Sequence, residues 1–405
     1  MKNTTLFALP VFAIAVLILC ATPYAQNSDQ GNGASDKLGP YRLLTTISND
    51  PLLHGFDISW VDSDKGRYYL ASRGNNATPS VPNILVIDTE LDQFISEIPL
   101  TNAPNGVVAI HRTGNGQGEP GAGTLVAGTT PNAGETSKVF FIALPAGPVF
   151  AEVDTGGHIG CNPACRADEL AYDPADHLIL VANDRDQDLF VTLISTEDTP
   201  HVVGKIFYNG TTAGNPVSTG GIEQPVWDKR TRRFYLAIPS TAAHPNGEVD
   251  EIDPNGMPAP GADFGQGRIT GIFPTSPSCH TPPRNGPAGL ALIPNQRLMT
   301  SCGDVLDIKT GGKIVTNVPG VTADEIWFNP GDERVYFGHN PAYVVDAETY
   351  EQIVNPSNPN GPPIPAGTTH SIAADSENNH IFIPVTGQGV KVYTDDQDKG
   401  KGQNK

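Results

Sequence analysis

The sequence predicts an all-β protein: a single seven-bladed β-propeller of four-stranded blades, with the ring closed by an N-terminal strand. Three observations carry that prediction. Gly and Pro are abundant, at 43 and 37 of 405 residues, and no long stretch shows a 3.6-residue hydrophobic period, so the chain reads as many short strands joined by turns. An internal repeat recurs about seven times at a spacing of roughly 50 residues, the size of a propeller blade rather than of a shorter solenoid unit. The last copy is one strand short, and a strand-like segment precedes the first.

The clearest pair of copies is Ala167-Asp168-Glu169-Leu170-Ala171-Tyr172-Asp173-Pro174 and Ala323-Asp324-Glu325-Ile326-Trp327-Phe328-Asn329-Pro330, identical or chemically similar throughout. Looser copies begin at Asp57, Asn105, Glu223, Ala288 and His370. Most continue through a polar turn into a second apolar strand, as in Arg67 to Ala71, His177 to Val181, Arg233 to Ala237, Val335 to Phe337 and His380 to Pro384. After His370 only three strands follow before the chain turns polar, whereas Tyr41 to Ile47 stands spare at the other end. Pairing the two closes the ring and removes the exposed edges an open array would leave. Length alone favours two or three domains; the repeat overrides it.

A ring with this inner-strand pattern resembles the exported YncE-like (YVTN-type) propellers over nearly the whole mature chain, in strand pattern and blade length. A WD40 assignment fits less well, because Trp227-Asp228 closes an inner strand instead of recurring late in each blade. The resemblance implies a fold shared by lactone-handling enzymes, a lyase and proteins without known catalysis, so it narrows architecture more than activity.

The ends of the chain read as export and tails. Met1 to Ala25 has one early Lys2, an apolar run and a small-residue cleavage site, the parts of a signal peptide; the run, interrupted by Pro10, is short for a membrane span. Leu19 before Cys20 argues against a lipoprotein. Residues 26–37 are a polar linker, 38–394 the propeller and 395–405 a charged tail. The expected location is therefore secreted or periplasmic, without membrane insertion and as a monomer. Four cysteines remain after cleavage, and in an oxidising compartment they are expected as disulfides between chain neighbours, Cys161 with Cys165 and Cys279 with Cys302. A metal role for Cys161 and Cys165 with His158 is the alternative. A net charge of −19 and a pI near 4.8 repel phosphates and anionic lipid, so nucleic acid is not an expected partner.

Chemistry is expected where the inner strands begin, because those residues ring one mouth of the central channel. The first positions of the copies are Asp57, Asn105, Asp168, Glu223, Ala288, Asp324 and His370, followed by Glu169, Gln224 and Glu325. Asp and Asn at such points commonly anchor the incoming loop by accepting backbone N–H bonds. Glu and His do not share that habit. Glu169, Glu223 and His370 are therefore the candidate catalytic residues, and Glu169, Glu223, Glu325 and His370 the candidate ligands of a divalent cation. Converging carboxylates repel unless a cation joins them; oxygen ligands favour Ca²⁺, Mg²⁺ or Mn²⁺, and histidine pulls toward Zn²⁺. Alternation along a strand lets only one residue of each Asp-Glu pair see the channel.

Other motifs are weaker. Gly114 to Gly118 lacks the Lys-Ser/Thr and helix of a phosphate loop, no nucleophile elbow occurs, and His54 reads as an ordinary loop residue. Asn76 and Asn209 head glycosylation-type triplets. Two functions stay open: a metal-assisted hydrolase or lyase acting on a small lactone, ester or sugar-derived substrate, or a non-catalytic propeller binding a peptide, glycan or envelope partner. The insertions Ala242 to Gly267 and Asn355 to Thr368, nearly free of aromatics, argue against a sticky protein interface there.

Overall fold

Alternation along the second strand of each blade decides the architecture. In Arg67–Gly74, Tyr68 and Leu70 face one side of the sheet and Tyr69 and Ala71 the other, as the two-residue period of a strand requires. Both faces are apolar, so the blade must be covered on both sides. Tyr68 and Leu70 pack with Phe382, Val390 and Val392 of the last blade, while Tyr69 and Ala71 pack with Val107, Leu125 and Phe140 of the next. The same division recurs around the ring, with a separate apolar cluster at each of the seven blade-to-blade interfaces.

The computed structural model describes residues 41–48, 53–74, 81–111, 123–145, 147–157, 165–184, 189–197, 199–280, 286–354 and 363–395. The expected signal segment, the linker to Lys37, Asn76, the Gly114–Gly118 loop, His158, Cys161 and residues 396–405 lie outside them. Among the described residues the strands form seven antiparallel sheets, and each of the seven repeat copies supplies an innermost strand. The first blade shows the pattern: Gly55–Asp62, Arg67–Gly74, Asn83–Asp88 and Gln93–Pro99, in that order from the channel outward. No helix among these residues is long and apolar enough to cross a membrane.

Two blades depart from four strands. Among the described residues the blade of Ile326–Asn329, Arg334–Phe337 and Tyr343–Asp346 has two isolated bridges, Ala342 to Ile364 and Val345 to Gln352, where a fourth strand would run. The blade that begins at Arg166–Asp173 gains a fifth, short strand, Phe264–Gly265, against the outer edge His201–Phe207. That strand comes from the Pro/Gly-rich insertion, and Asp263 ties it down by accepting hydrogen bonds from the Phe207 N–H at 2.9 Å, Thr212 at 2.7 Å and Asn215 at 2.8 Å. An otherwise open strand edge is thereby covered.

The ring closes as the spare strand predicts. Tyr41–Ile47 pairs antiparallel with Gly389–Asp395, Tyr41 opposite Asp395 and Ile47 opposite Val390. Arg334 locks the seam from the neighbouring blade: it donates to the Tyr41 hydroxyl at 2.8 Å and forms an ion pair with Asp395. A disulfide joins Cys279 to Cys302, tying the loop ahead of Leu290–Ile293 to the turn after Arg297–Thr300. Cys165 is also disulfide-bonded.

Deleting the chain through Ile47 removes the buried Tyr41 and Ile47 side chains, worth about 1.5–3 kcal/mol each, and strips the partner from Gly389–Asp395. Thermal melting is expected to fall steeply or lose cooperativity, whereas deletion through Lys37 leaves it unchanged. Equal tolerance of both truncations contradicts this closure.

Candidate functional site at the channel mouth

The inner strands of three consecutive blades carry a bulge at the position of the candidate residues. Between Phe56 and Ser59, between Pro104 and Val107, and between Ala167 and Leu170, the inner strand advances three residues while its partner advances two. The extra residue breaks alternation and re-aims side chains at the strand start. Asp57, Asn105 and Asp168 all sit at these bulges, so neighbouring positions do not simply face opposite ways. Gly106 permits the resulting close approach, since a Cβ there would collide with the Asp168 carbonyl oxygen.

Hydrogen bonds and ion pairs link these bulges around the mouth. His370 Nε2 lies 3.2 Å from Asp57 Oδ1, and its ring stacks on Phe56 with centroids 4.7 Å apart. Asp57 also pairs with Arg73, which donates to Asn105 Oδ1 at 2.9 Å. Asn105 in turn donates to the Ala167 carbonyl at 3.1 Å. Arg166 reaches Asp168 at 2.5 Å and Asp184 at 3.5 Å. The Ile222 N–H donates to Asp184 at 3.3 Å, the Leu290 N–H donates to Gln224 Oε1 at 2.6 Å, and the Glu325 N–H donates to the His370 carbonyl at 3.2 Å. Asp57 and Asp168 thus spend their carboxylates on guanidinium groups rather than on local backbone capping.

The four residues expected as one cation site fall into three settings. His370 belongs with Asp57 and Arg73. Burial disfavours its charge, but the hydrogen bond and charge of Asp57, with Asp324 nearby, outweigh that and raise its pKa above the usual imidazole value. Glu169 and Glu325 face each other from blades on opposite sides of the ring, 4% and 5% exposed, and their carboxyls hydrogen-bond one another. Burial and the neighbouring carboxylates push both pKa values well above the ordinary range. Glu169 Oε2 has no hydrogen-bond partner among the described residues.

Glu223 stands in the third setting, with Asp168 and Asp184. Oxygens of these three lie within 4.8 Å of one another, and burial together with the other two carboxylates raises the Glu223 pKa. Asp184 and Glu223 border a cavity of about 270 Å³. Gly221 makes room between them: its φ is +100°, and a Cβ would sit 2.6 Å from Asp184 Oδ1. Asp168, 1% exposed, leaves its Oδ1 without a partner among the described residues. The second three-residue group of metal-ligand type, Cys279, Cys302 and Asp304, contains the disulfide and so offers no thiolate.

Arg73, Arg166 and Asp184 were not among the candidates. Two of them were readable, because an antiparallel hairpin sets the end of its second strand against the start of the first, and Arg73 and Asp184 end Arg67–Gly74 and Leu178–Asp184.

Comparison with known proteins matches the architecture. No protein-family model and no curated protein matches the chain. Among solved structures, the WD40 beta propeller domain of Doa1 superposes with a TM-score of 0.54 at 12% identity, covering 88% of this chain and 98% of that one. In all, 581 solved chains match; a likeness at 12% identity carries the fold and not an activity.

The acid pair makes stability depend on pH with a definite sign. An unfolded Glu titrates near about 4.3, and the folded pair holds its protons to higher pH, so between those values the native state binds more protons than the unfolded one. The pair's contribution to stability is then fully present at acidic pH and is lost as pH rises, by about 1.4 kcal/mol per pH unit for each excess proton. Glu325→Gln keeps an amide donor for Glu169 and removes one of these protons. It is expected to flatten the fall in melting temperature between pH 5 and pH 8; a slope equal to that of the parent contradicts the shared-proton assignment.

Proposed function

We propose that this protein is an exported propeller that seats a divalent cation at the channel mouth and uses it as a metal-assisted hydrolase or lyase on a small lactone, ester or sugar-derived substrate. The observation that carries the reading is the group Asp168, Asp184 and Glu223, whose oxygens converge within 4.8 Å beside a cavity. An all-carboxylate set suits Ca²⁺, Mg²⁺ or Mn²⁺ rather than Zn²⁺. A cation there offsets repulsion that Arg166 alone leaves in place, and polarises an incoming carbonyl oxygen. His370, partly exposed and oriented by Asp57, supplies a proton-moving group at the same mouth. The inner-strand pattern shared with YncE-like exported propellers supports the secreted or periplasmic setting. The alternative is a non-catalytic propeller whose mouth binds a peptide, glycan or envelope partner, with the cation only structural.

Adding Ca²⁺, Mg²⁺ or Mn²⁺ to chelator-treated protein is expected to raise its stability, by about 2.7 kcal/mol at 100 times the dissociation constant. Glu223→Gln should shrink that shift with little loss of fold. On a panel of small lactones and esters, His370→Gln should lower turnover while leaving the metal-induced shift intact. Melting that responds neither to metal nor to chelator removes the cation site, and a metal response without turnover transfers the function to the binding alternative.

A further inference from the structure

Below the acidic mouth the channel changes character. A cavity of about 930 Å³ is lined by the inner strands of six blades, from Glu169 and Gln224 to the turns that end those strands. The last blade is not part of this lining. Its inner strand is the two-residue Ala373–Ala374, and past it Trp60 and Trp327 meet edge to face with ring centroids 5.2 Å apart. Two small side chains leave that sector open, and two indoles from the flanking blades wall it off. Trp227 and Tyr172 line the same space. The volume lies within the range of about 300–1,000 Å³ typical of small-molecule sites.

Two residues lining this largely apolar space have polar groups with incomplete hydrogen bonding. Glu169 lines the cavity, is 4% exposed and has Glu325 as the one partner of its carboxyl, with Oε2 otherwise unbonded; Trp227, also lining it, leaves its indole N–H unpaired among the described residues. Leaving buried polar atoms unmade costs about 1–3 kcal/mol each, a cost that a ligand bearing the complementary group removes. Charge selects the type of group. The carboxyls electrostatically coupled at this level of the channel are Asp57, Asp168, Glu169, Asp184, Glu223, Asp324 and Glu325, against the guanidiniums of Arg73 and Arg166. Lys229 and Arg230 lie at the other end of the cavity, on an exposed turn where solvent screens them.

We propose that this cavity binds an organic amine with an aromatic or alkyl body, the ammonium donating to the carboxyl that Glu169 shares with Glu325 and the body lying against Trp60, Trp227 and Trp327. Indole faces also attract cations, adding to selectivity for an ammonium over a neutral group. The ammonium seat is distinct from the cation group of Asp168, Asp184 and Glu223, and because Asp168 and Glu223 also act on Glu169, a cation bound among them weakens amine binding.

The chain contains three tryptophans, and all three line this cavity, so intrinsic tryptophan fluorescence reports on it directly. Titrations of the full-length mature protein in EDTA with phenethylamine, phenethyl alcohol and phenylacetate separate charge from shape, and the chelator keeps the result independent of the proposed cation site. Phenethylamine is expected to give a saturable change, with an affinity at least about tenfold above the isosteric alcohol and higher still above the acid. Glu169→Gln, checked for an unchanged circular-dichroism spectrum and melting, should abolish the preference for the amine while sparing alcohol binding. Equal or tighter binding of the alcohol, no saturable signal from phenethylamine, or an amine preference that survives Glu169→Gln overturns the proposal.

Discussion

Closing seven blades into a ring brings the first residues of their inner strands to one narrow rim, and in this chain those residues are mostly acids. Asp57, Asp168, Glu223, Asp324 and their neighbours Glu169 and Glu325 cannot all ionise at such close range without compensation. Three means of compensation are visible. Arg73 pairs with Asp57, whose pKa is lowered, and Arg166 lies against Asp168 without overcoming the burial that raises that carboxyl's pKa to about 8. Glu169 and Glu325 hydrogen-bond each other across the channel, and burial raises the pKa of both. Asp184 and Glu223 border a cavity that gives a counter-ion access. The ring closure, the bulges and the positions of the arginines all bear on how this charge is distributed.

That charge divides the channel along its length. At the strand starts the wall is polar and crosslinked from blade to blade by side chains, a rigid setting for groups that must hold a ligand or move a proton. Beyond Glu169 and Gln224 the wall is apolar and rich in indole. The acid pair lies between the two regions. A buried carboxyl pair is costly for a merely structural device, since an apolar pair of similar size would fill the same space without desolvating two acids. Its place at the boundary is the feature that ties both proposed sites to one channel.

The architecture was legible because it is repetitive. Each blade repeats the alternation that buries both faces of its second strand, and the missing strand after His370 had one possible replacement in Tyr41–Ile47. The site was legible only in part. Glu169, Glu223, Glu325 and His370 do stand at the mouth, but strand periodicity does not register a bulge, so it could not show that Asp168 and Glu169 would serve different groups. Nor does a reading of strand starts find residues at the ends of the adjacent strands, which is where Arg73 and Asp184 lie. The fifth strand, Phe264–Gly265, was hidden for a different reason: two residues held by Asp263 from within an insertion have no periodicity to detect.

One proton held between Glu169 and Glu325 at neutral pH is the expectation on which this distribution of charge rests, and difference infrared spectroscopy tests it most directly. Protonated and ionised carboxyl groups absorb separately, so the parent protein at pH 7 should show a protonated-carboxyl band that shifts on exchange into deuterium oxide. Glu169→Gln and Glu325→Gln should each diminish that band, and the double variant should remove the pair's share of it. A neutral-pH spectrum with no protonated-carboxyl band, or a band unchanged in both single variants, would contradict the account.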